Sequence, residues 1–451
     1  MDPVFLSRLQ FALTIAFHYI FPTLSIGLGV VLVWSEAAFL RTRNPLWERV
    51  TRFWVRIFGL IFAIGVATGI VMEFQFGTNW SAYSRFVGDV FGSALAAEGI
   101  FAFFLESGFL GILLFGWERV GPRVHFLATV AVCLGSHFSA VWITVANSWM
   151  QTPAGYRLVG DGAELHAITT DFSAVLFNPS SMERLAHVFM GCWQAGAFLV
   201  LSVSAWYLLR GRHEDFARAS FGVGLGLALV STLGSIATGH ASAVNVAEHQ
   251  PAKLAAMEGL FPATTRGADL NLFGWVDEEA RRTWGPAIPN GLSLLIAADP
   301  DAPVTGLEAF PQEDWPPVNP VFQAFHAMVA IGLASTALAL AAAFFAWRGT
   351  LFRQRWLLWL FVPAVVLPQL ANQLGWIVAE VGRQPWIVYG VLRTSDGVSP
   401  RLAGGEVAAS IAMFGAIYGL LLVLFLFLLD QKIRHGPDPE APRAIGQRAD
   451  A

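Results

Sequence analysis

Nine stretches of about 20 mostly apolar residues, each long enough for a helix to cross a lipid bilayer, dominate this 451-residue chain. Backbone polar groups in hydrocarbon must be paired within the segment, so spans of this length form α-helices. Charged residues make up 13% of the chain, against about 25% in a soluble domain. The sequence therefore predicts an all-α integral membrane protein, a nine-transmembrane-helix bundle. The nine spans are 10–38, 53–76, 93–117, 125–147, 184–209, 217–239, 321–346, 356–379 and 406–429.

Positively charged residues cluster after every second span, which places those loops on one side of the membrane. The positive-inside rule makes that side cytoplasmic, so we expect the N-terminus outside and the C-terminus inside. The N-terminal segment has an acid before its first arginine and no small-residue cleavage site, so we interpret it as a retained helix. The residues in these loops are Arg41, Arg43, Arg49, Arg52, Arg119, Arg123, Arg210, Arg212, Arg218, Arg348, Arg353, Arg355, Lys432, Arg434, Arg443 and Arg448.

The longest polar stretch lies outside the membrane on this topology, and it is acidic and rich in proline and glycine. A loop of this length is more often functional or mobile than a plain connector. It separates two groups of helices, and a disordered tail follows the second group. The four regions are membrane helices one to six (1–239), the external loop (240–320), membrane helices seven to nine (321–430) and the cytoplasmic tail (431–451).

The net charge and the cysteine content limit the classes of function that the sequence supports. The net charge of −4 gives no support for nucleic-acid binding, and no nucleic-acid partner is expected. The two cysteines, Cys133 and Cys192, lie in apolar spans without the spacing of a zinc site or a disulfide framework.

Several ionisable or metal-ligating side chains lie inside the spans, where a charge is costly unless it is paired, hydrated or bound to a metal. On the predicted topology, five of them share the outer half of the membrane, beneath the external loop. Side chains scattered by chance would not share a depth, so the sequence indicates a buried site for redox metal cofactors. The five are His18, Glu98, His187, Met328 and Glu380.

Two glutamates occur in the third span. Glu98 and Glu106 are eight residues apart, about 12 Å along a helix and on broadly the same side. Two carboxylates in one span are hard to explain as packing, and they favour a proton path or a cofactor contact. His125, His137 and Asn147, in or beside the fourth span, are weaker signals, and His137 alone favours a structural role.

Two further polar groups have a structural and a functional interpretation. Glu380 is followed by Arg383 and Trp386, which suits either a site or a helix end with an ion pair and an interfacial anchor. Lys253 and Glu258 lie in a short helical stretch at the membrane surface. That stretch suits either a solvated amphipathic helix or a site that takes a proton from a membrane-soluble donor.

Two other classes of function remain open from the residues alone. A proton-coupled secondary transporter would use Glu98, Glu106 and Glu380, although such folds commonly show internal repeats and no pair of spans here indicates one. A cofactor-free scaffold subunit would leave the shared depth of His18, His187 and Glu380 unexplained.

Stretches along the whole membrane part resemble subunit I of the cytochrome bd-type quinol oxidases, including their cyanide-insensitive relatives. The resemblance covers about residues 1–430, and GRQPW after an intramembrane glutamate is a family hallmark. The matching stretches are RLQFALTIAFHYIFPTLSIGL, AAEGIFAFFLESGFLGILLFGW, VANSWMQTPAG, KLAAMEG, FHAMVAIG and EVGRQPWIVYGVLRT.

The resemblance implies three haems within nine helices. His187 and Met328 would ligate a low-spin haem b. His18 and Glu380 would serve two high-spin haems, a haem b and a haem d, or a third haem b in a variant. Arg383, in the family hallmark, would belong to the same cofactor-binding region.

The resemblance also implies roles for residues around the haems. Glu98 would lie beside the high-spin pair, and Glu106 and Ser107 would belong to a proton path from the cytoplasm. Trp376 would lie between haems. One departure concerns the low-spin haem: a family arginine two residues before the methionine ligand is here His326, which affects tuning rather than ligation.

The activity that the resemblance implies is that of a respiratory terminal oxidase. It would oxidise membrane quinol at the outer face, where Lys253 and Glu258 form part of the quinol site, and reduce O2 to water with cytoplasmic protons. Proton motive force would arise without pumping. The expected setting is the bacterial cytoplasmic (inner) membrane, as a multi-pass subunit in a heterodimer with subunit II and possibly a small single-helix subunit. The outer loop is of the shorter kind found in the family.

Overall fold

Long α-helices account for most of the protein, with short strands confined to the connections. The computed structural model describes residues 2–99 and 104–438, with backbone alone at 93, 94, 97, 104, 105 and 163. The helices are α1 (Pro3–Thr42), α2 (Pro45–Thr78), α3 (Ser81–Ala97), α4 (Phe104–Phe115), α5 (Pro122–Gln151), α6 (Phe172–Leu176), α7 (Ser181–Leu209), α8 (Glu214–His249), α9 (Pro251–Glu258), α10 (Gly291–Ala297), α11 (Val318–Trp347), α12 (Arg355–Phe361), α13 (Val366–Val381), α14 (Thr394–Gly397) and α15 (Gly404–His435).

Eight helical segments of the described chain are long and apolar enough to cross a membrane. They contain α1, α2, α5, α7, α8, α11, the α12–α13 pair and α15. The predicted third span, 93–117, includes residues outside the described ranges. Its described parts are the end of α3 and the shorter apolar helix α4. The predicted multi-pass, helical membrane protein is therefore confirmed at the level of fold class.

Helix ends follow local sequence signals. The Asp2 side chain accepts hydrogen bonds from two first-turn N–H groups of α1, and a proline occupies the first turn. Asn44 caps α2 in the same way, again before a proline. α8 continues past the predicted span 217–239 to His249, because the intervening residues favour a helix and Pro251 starts a new one. The external loop is therefore shorter than 240–320 at both ends.

α1 and α7 cross at two glycines. A Cβ atom on Gly27 would come within 2.3 Å of the Cys192 carbonyl oxygen, and one on Gly196 within 2.3 Å of the Gly27 backbone. Only glycine permits backbones to approach this closely. The crossing holds the α1–α2 hairpin against the α7–α8 hairpin, around a core that includes Phe21 and Trp54.

Polar side chains on one face of α13 hydrogen-bond to α1 and hold α13 in place. The chain bends at a 3₁₀ turn between α12 and α13, where the Ser202 hydroxyl donates to the Val362 carbonyl at 2.5 Å. Beyond the bend, Gln369 bonds Thr23 of α1 at 3.0 Å, and Gln373 donates to the Ala16 carbonyl at 2.8 Å. These bonds set the rotation of α13 and hence the direction of the residues at its C-terminal end.

The connections contain four small antiparallel strand pairs, which the all-α prediction did not include. In the external loop, β4 pairs with β5 through Trp275 and Trp284, and β3 pairs with β6. Residues 436–438 follow α15, and 439–451 of the predicted tail lie outside the described ranges. The strands are β1 (Tyr156–Val159), β2 (His166–Thr169), β3 (Leu270–Asn271), β4 (Trp275–Asp277), β5 (Arg282–Trp284), β6 (Ala287–Ile288), β7 (Trp386–Val388) and β8 (Leu392–Arg393).

Candidate redox-cofactor site

Glu380, near the C-terminal end of α13, is the centre of a hydrogen-bond network. Arg383 Nη2 donates to one carboxylate oxygen at 2.5 Å. Asn147 Nδ2 and Gln151 Nε2, one turn apart on α5, donate to the other at 2.9 and 3.3 Å. The Glu380 side chain is still 35% exposed, and Oε2, which accepts only from Arg383 in the described chain, has a second lone pair. The carboxylate can therefore accept a further partner.

Three basic side chains surround this single carboxylate. Arg383 is 3% exposed, Lys253 is 3% exposed, and Arg184 reaches the network through a hydrogen bond to Asn147. All three interact electrostatically with Glu380. Arg383 Nη1 is buried without a hydrogen-bond partner in the described chain. A surplus of buried positive charge and an unpaired donor are costly, so the cluster suits an additional anionic group.

Two histidines, on α1 and α7, bond the neighbouring helix in the same way. His18 Nδ1 lies 3.0 Å from Thr68 Oγ1 on α2, and His187 Nδ1 lies 3.0 Å from Thr238 Oγ1 on α8. With Nδ1 engaged, Nε2 is the ring nitrogen available to a metal.

The three other histidines singled out from the sequence are occupied on both ring nitrogens. His137 bonds its own helix through Nδ1 and accepts from Trp193 through Nε2 at 3.0 Å. His125 bonds Glu36 at 2.6 Å and the Leu113 carbonyl at 3.2 Å. His326, in place of the family arginine, bonds the Phe322 and Asn271 carbonyls, each at 2.9 Å. Neither ring nitrogen of these three histidines is left for a ligand in the described chain.

Met328 and Trp376 both make contacts through α13. A Cβ atom on Gly375 would come within 3.1 Å of Met328 Sδ, so the thioether packs directly on the α13 backbone. The Trp376 ring meets Tyr19, the residue after His18, edge to face at 5.4 Å. α13 therefore contacts Met328 of α11 through Gly375 and Tyr19 of α1 through Trp376.

Both glutamates of the third span bond serines of α5. Ser139 donates to Glu98 at 2.6 Å, and Ser136 donates to Glu106. The two serines are one turn apart, so both carboxylates meet one face of α5. Ser107 is exposed and follows Glu106 directly. Glu73 of α2, which sequence analysis passed over, interacts electrostatically with Glu98 and adds a third carboxylate.

α9 separates the two residues predicted to share the quinol site. Lys253 Nζ donates to Gln151 and to Gln250, so it belongs to the Glu380 network, and burial lowers its pKa well below the ordinary value. Glu258, at the other end of α9, is 2% exposed, and its Oε2 has no hydrogen-bond partner in the described chain. Burial raises the pKa of Glu258 to about 8.

A cavity of about 170 Å³ opens beside this network. Lys253 of α9 and Arg383, just after α13, line one part of it, and Asp314, Trp386 and Tyr389 of the connecting segments line another. Charged and aromatic side chains therefore share the walls of this cavity.

The structure adds Arg184, Asn147 and Gln151 to the predicted residues around Glu380. Asn147 and Gln151 are four residues apart on α5, and Arg184 precedes His187 by three on α7, so each lies on one face with its neighbour. That spacing is a signal the sequence carries. That these residues meet Glu380 on another helix can be seen only in the packed structure.

The fold and the buried donor groups define a class: a multi-pass helical membrane protein with imidazole, thioether and carboxylate groups at one end of the bundle. Comparison with known proteins makes the class specific. The family model for cytochrome bd terminal oxidase subunit I matches residues 6–437. The chain therefore belongs to the cytochrome bd terminal oxidase subunit I family, as its motifs predicted.

Similar proteins extend over the whole chain. Cytochrome bd ubiquinol oxidase subunit 1 of Bacillus subtilis (strain 168) is 37% identical over 97% of this chain and 95% of the relative. Cytochrome bd-II ubiquinol oxidase subunit 1 of Escherichia coli (strain K12) is 35% identical over 97% of each. The solved bd oxidase of Geobacillus thermodenitrificans aligns with a TM-score of 0.88 and 31% identity, over 97% of this chain and 99% of that chain.

These matches establish a quinol oxidase of the respiratory chain, a terminal oxidase in a bacterial membrane. The family generally implies haem. The donor set fits that group, because neutral imidazole nitrogens and a thioether are axial ligands of haem iron. The surplus of buried cations around Glu380 fits the acidic substituents of a porphyrin.

Proposed function

We propose that this chain is the haem-bearing catalytic subunit of the oxidase, with His187 and Met328 as ligands of a low-spin haem b. The two high-spin haems, a haem b and a haem d or a third haem b, are assigned to His18 and Glu380. The observation that carries this assignment is the contrast among the histidines: His18 and His187 keep Nε2 for a ligand, whereas His125, His137 and His326 do not.

Haem supplies one-electron chemistry and O2 reduction when it is bound, and the chain supplies ligands, spacing and electrostatics. Arg184, Lys253 and Arg383 provide the positive charge that would hold acidic substituents of the cofactor. Trp376 is assigned a place between haems, and its contact with Tyr19 of α1, next to the contact of Gly375 with Met328, supports that place.

Quinol oxidation is assigned to the region of α9. The unpaired Oε2 of Glu258 would accept a hydrogen bond and then a proton from a quinol hydroxyl, since this buried oxygen has no competing donor in the described chain. Lys253 would act on the other side of α9, linking the quinol site to the Glu380 network.

Protons for water formation are assigned to the third span. Glu106 and Ser107 would take protons from the cytoplasmic side and pass them to Glu98, with Ser136 and Ser139 bonding the carboxylates. Uptake from inside and release outside separates charge without a pump, each unit charge being worth about 2.3 kcal/mol per 100 mV.

The assembly completes the proposal. The chain would have nine membrane helices in the inner membrane, the N-terminus outside and the C-terminus in the cytoplasm. It would pair with subunit II, and a small single-helix subunit is a further candidate partner. The arginine and lysine distribution in the loops supports this orientation.

His187→Ala tests the assignment most simply. We expect the variant complex to insert and to keep its high-spin absorption while the low-spin b-type bands disappear. His137→Ala is the matched control, a membrane histidine whose nitrogens are both occupied, and it should keep all bands. A low-spin spectrum that survives in His187→Ala would overturn the ligand assignment.

A further inference from the structure

The arrangement around His18 recurs around His187. In each case the histidine lies on the first helix of a hairpin and a threonine on the second, with Nδ1 and Oγ1 3.0 Å apart. The separations along the chain are also alike, 50 residues for His18 and Thr68 and 51 for His187 and Thr238. Both threonines lie in the tripeptide Ala-Thr-Gly. This is a local repeat that comparison of whole spans did not indicate.

The threonine hydroxyls have their proton committed elsewhere. Thr68 Oγ1 donates to the Ile64 carbonyl at 2.9 Å, and Thr238 Oγ1 donates to the Gly234 carbonyl at 2.9 Å. A hydroxyl has one proton, so each threonine oxygen can only accept from its histidine. Nδ1 therefore carries the ring proton, and the lone pair of the neutral imidazole lies on Nε2.

The glycine after each threonine fixes the plane of the ring. A Cβ atom on Gly69 would come within 3.3 Å of His18 Cε1, and one on Gly239 within 3.3 Å of His187 Cε1. Each imidazole thus lies against bare backbone, with its Nδ1 held by the preceding threonine. The ring has little freedom to turn about its Cβ–Cγ bond.

We propose that Thr68 and Thr238 are positioning residues that hold His18 and His187 in the tautomer and orientation needed to ligate iron through Nε2. By accepting from Nδ1–H they also raise the electron donation of the imidazole, as outer-shell acceptors do for metal-bound histidines. The inference rests on the proposed ligand role of the two histidines and adds to it the groups that set ligand strength.

Threonine-to-valine replacements test the proposal, because valine keeps the shape and loses the acceptor. In the purified Thr238→Val complex we expect low-spin haem binding about 10-fold weaker. The midpoint potential of the remaining low-spin haem should rise, because a weaker donor stabilises ferric iron less. Thr238→Ser, which keeps the hydroxyl, should restore both. Thr68→Val should change the high-spin absorption in the same experiment and leave the low-spin potential alone.

Each variant has a matched control on its own helix. Thr232 of α8 is buried, and within the described chain its hydroxyl bonds only the Leu229 carbonyl. Thr51 of α2 is also buried and, among the described residues, bonds only the Trp47 carbonyl. Thr232→Val and Thr51→Val should leave spectra and potentials unchanged.

Full haem content with unchanged midpoint potential in Thr238→Val would overturn the positioning role. A Thr238→Ser variant that fails to restore haem binding and midpoint potential would overturn it as well. A low-spin haem that persists in His187→Ala would instead refute the ligand assignment on which the inference rests. The two failures are therefore distinguishable.

Discussion

Glu258 shows how a single side chain can be placed for one step. It is buried at the end of α9, and one of its carboxylate oxygens has no donor in the described chain. Burial raises its pKa to about 8, above that of an exposed glutamate. Because the folded-state pKa is the higher one, protonation contributes stability that is present at low pH and is lost as the pH rises through about 8.

The same pKa predicts a pH profile for quinol oxidation. Only the carboxylate form can take a proton, so the rate of anaerobic haem reduction by quinol should rise with pH and level above about 8. Glu258→Gln should be slow and should lose this Glu258-dependent rise while it keeps its haem. Stopped-flow reduction without O2 isolates this step from proton uptake.

Glu248→Gln is the control, because that carboxylate is exposed on the adjoining helix α8. It should keep the wild-type profile. A Glu258→Gln complex that loses haem before it loses quinol oxidation would show that the residue is structural, and a wild-type rate would remove it from the site.

At the scale of the helices, a few close contacts between helices bring the candidate ligand residues together. The crossing of α1 and α7 at Gly27 and Gly196 puts the His18 hairpin against the His187 hairpin. Side chains on the polar face of α13 hydrogen-bond to α1, and these bonds set the direction of Glu380 and Trp376. The positions of the cofactor-binding groups therefore depend on packing contacts far from the groups themselves.

Gly196→Ala tests the crossing. The new methyl group would overlap the Gly27 backbone, so we expect about 1–3 kcal/mol of destabilisation and a lower unfolding temperature in detergent. Gly226→Ala on α8 is the control, since a Cβ there meets nothing within 4 Å. Equal stability of the two variants would contradict the close approach of α1 and α7.

The extent of the helices could be predicted from sequence because the hydrocarbon layer imposes a length and a polarity. Outside the hydrocarbon layer, the bounds of the helices and the burial of their residues were predicted less well. α8 runs to His249, and α9 is buried although its sequence suited a solvated amphipathic helix. Residues near the surface are polar in either case, and only the external loop folded over α9 decides their burial.

At the scale of the whole molecule, the candidate site is assembled from helices distant in the chain. His18, His187 and Glu380 could be named from the rarity of such groups in apolar spans. Met328 could be assigned as a ligand only through the family resemblance, because methionine in an apolar helix usually serves packing. Asn147 was only a weak signal, and Arg184 and Gln151 could not be named, because polar residues near helix ends are common and only the packing of the helices turns these side chains toward Glu380.

The whole account depends on this chain holding haem, and a dithionite-reduced minus oxidised spectrum of the purified complex, with haem extraction, tests that most directly. We predict b-type bands together with a long-wavelength red band from haem d. Bands of b type alone would keep the ligands and remove the assignment of haem d. Well-folded protein without haem would contradict the account and leave Glu98, Glu106 and Glu380 to a proton-coupled transporter.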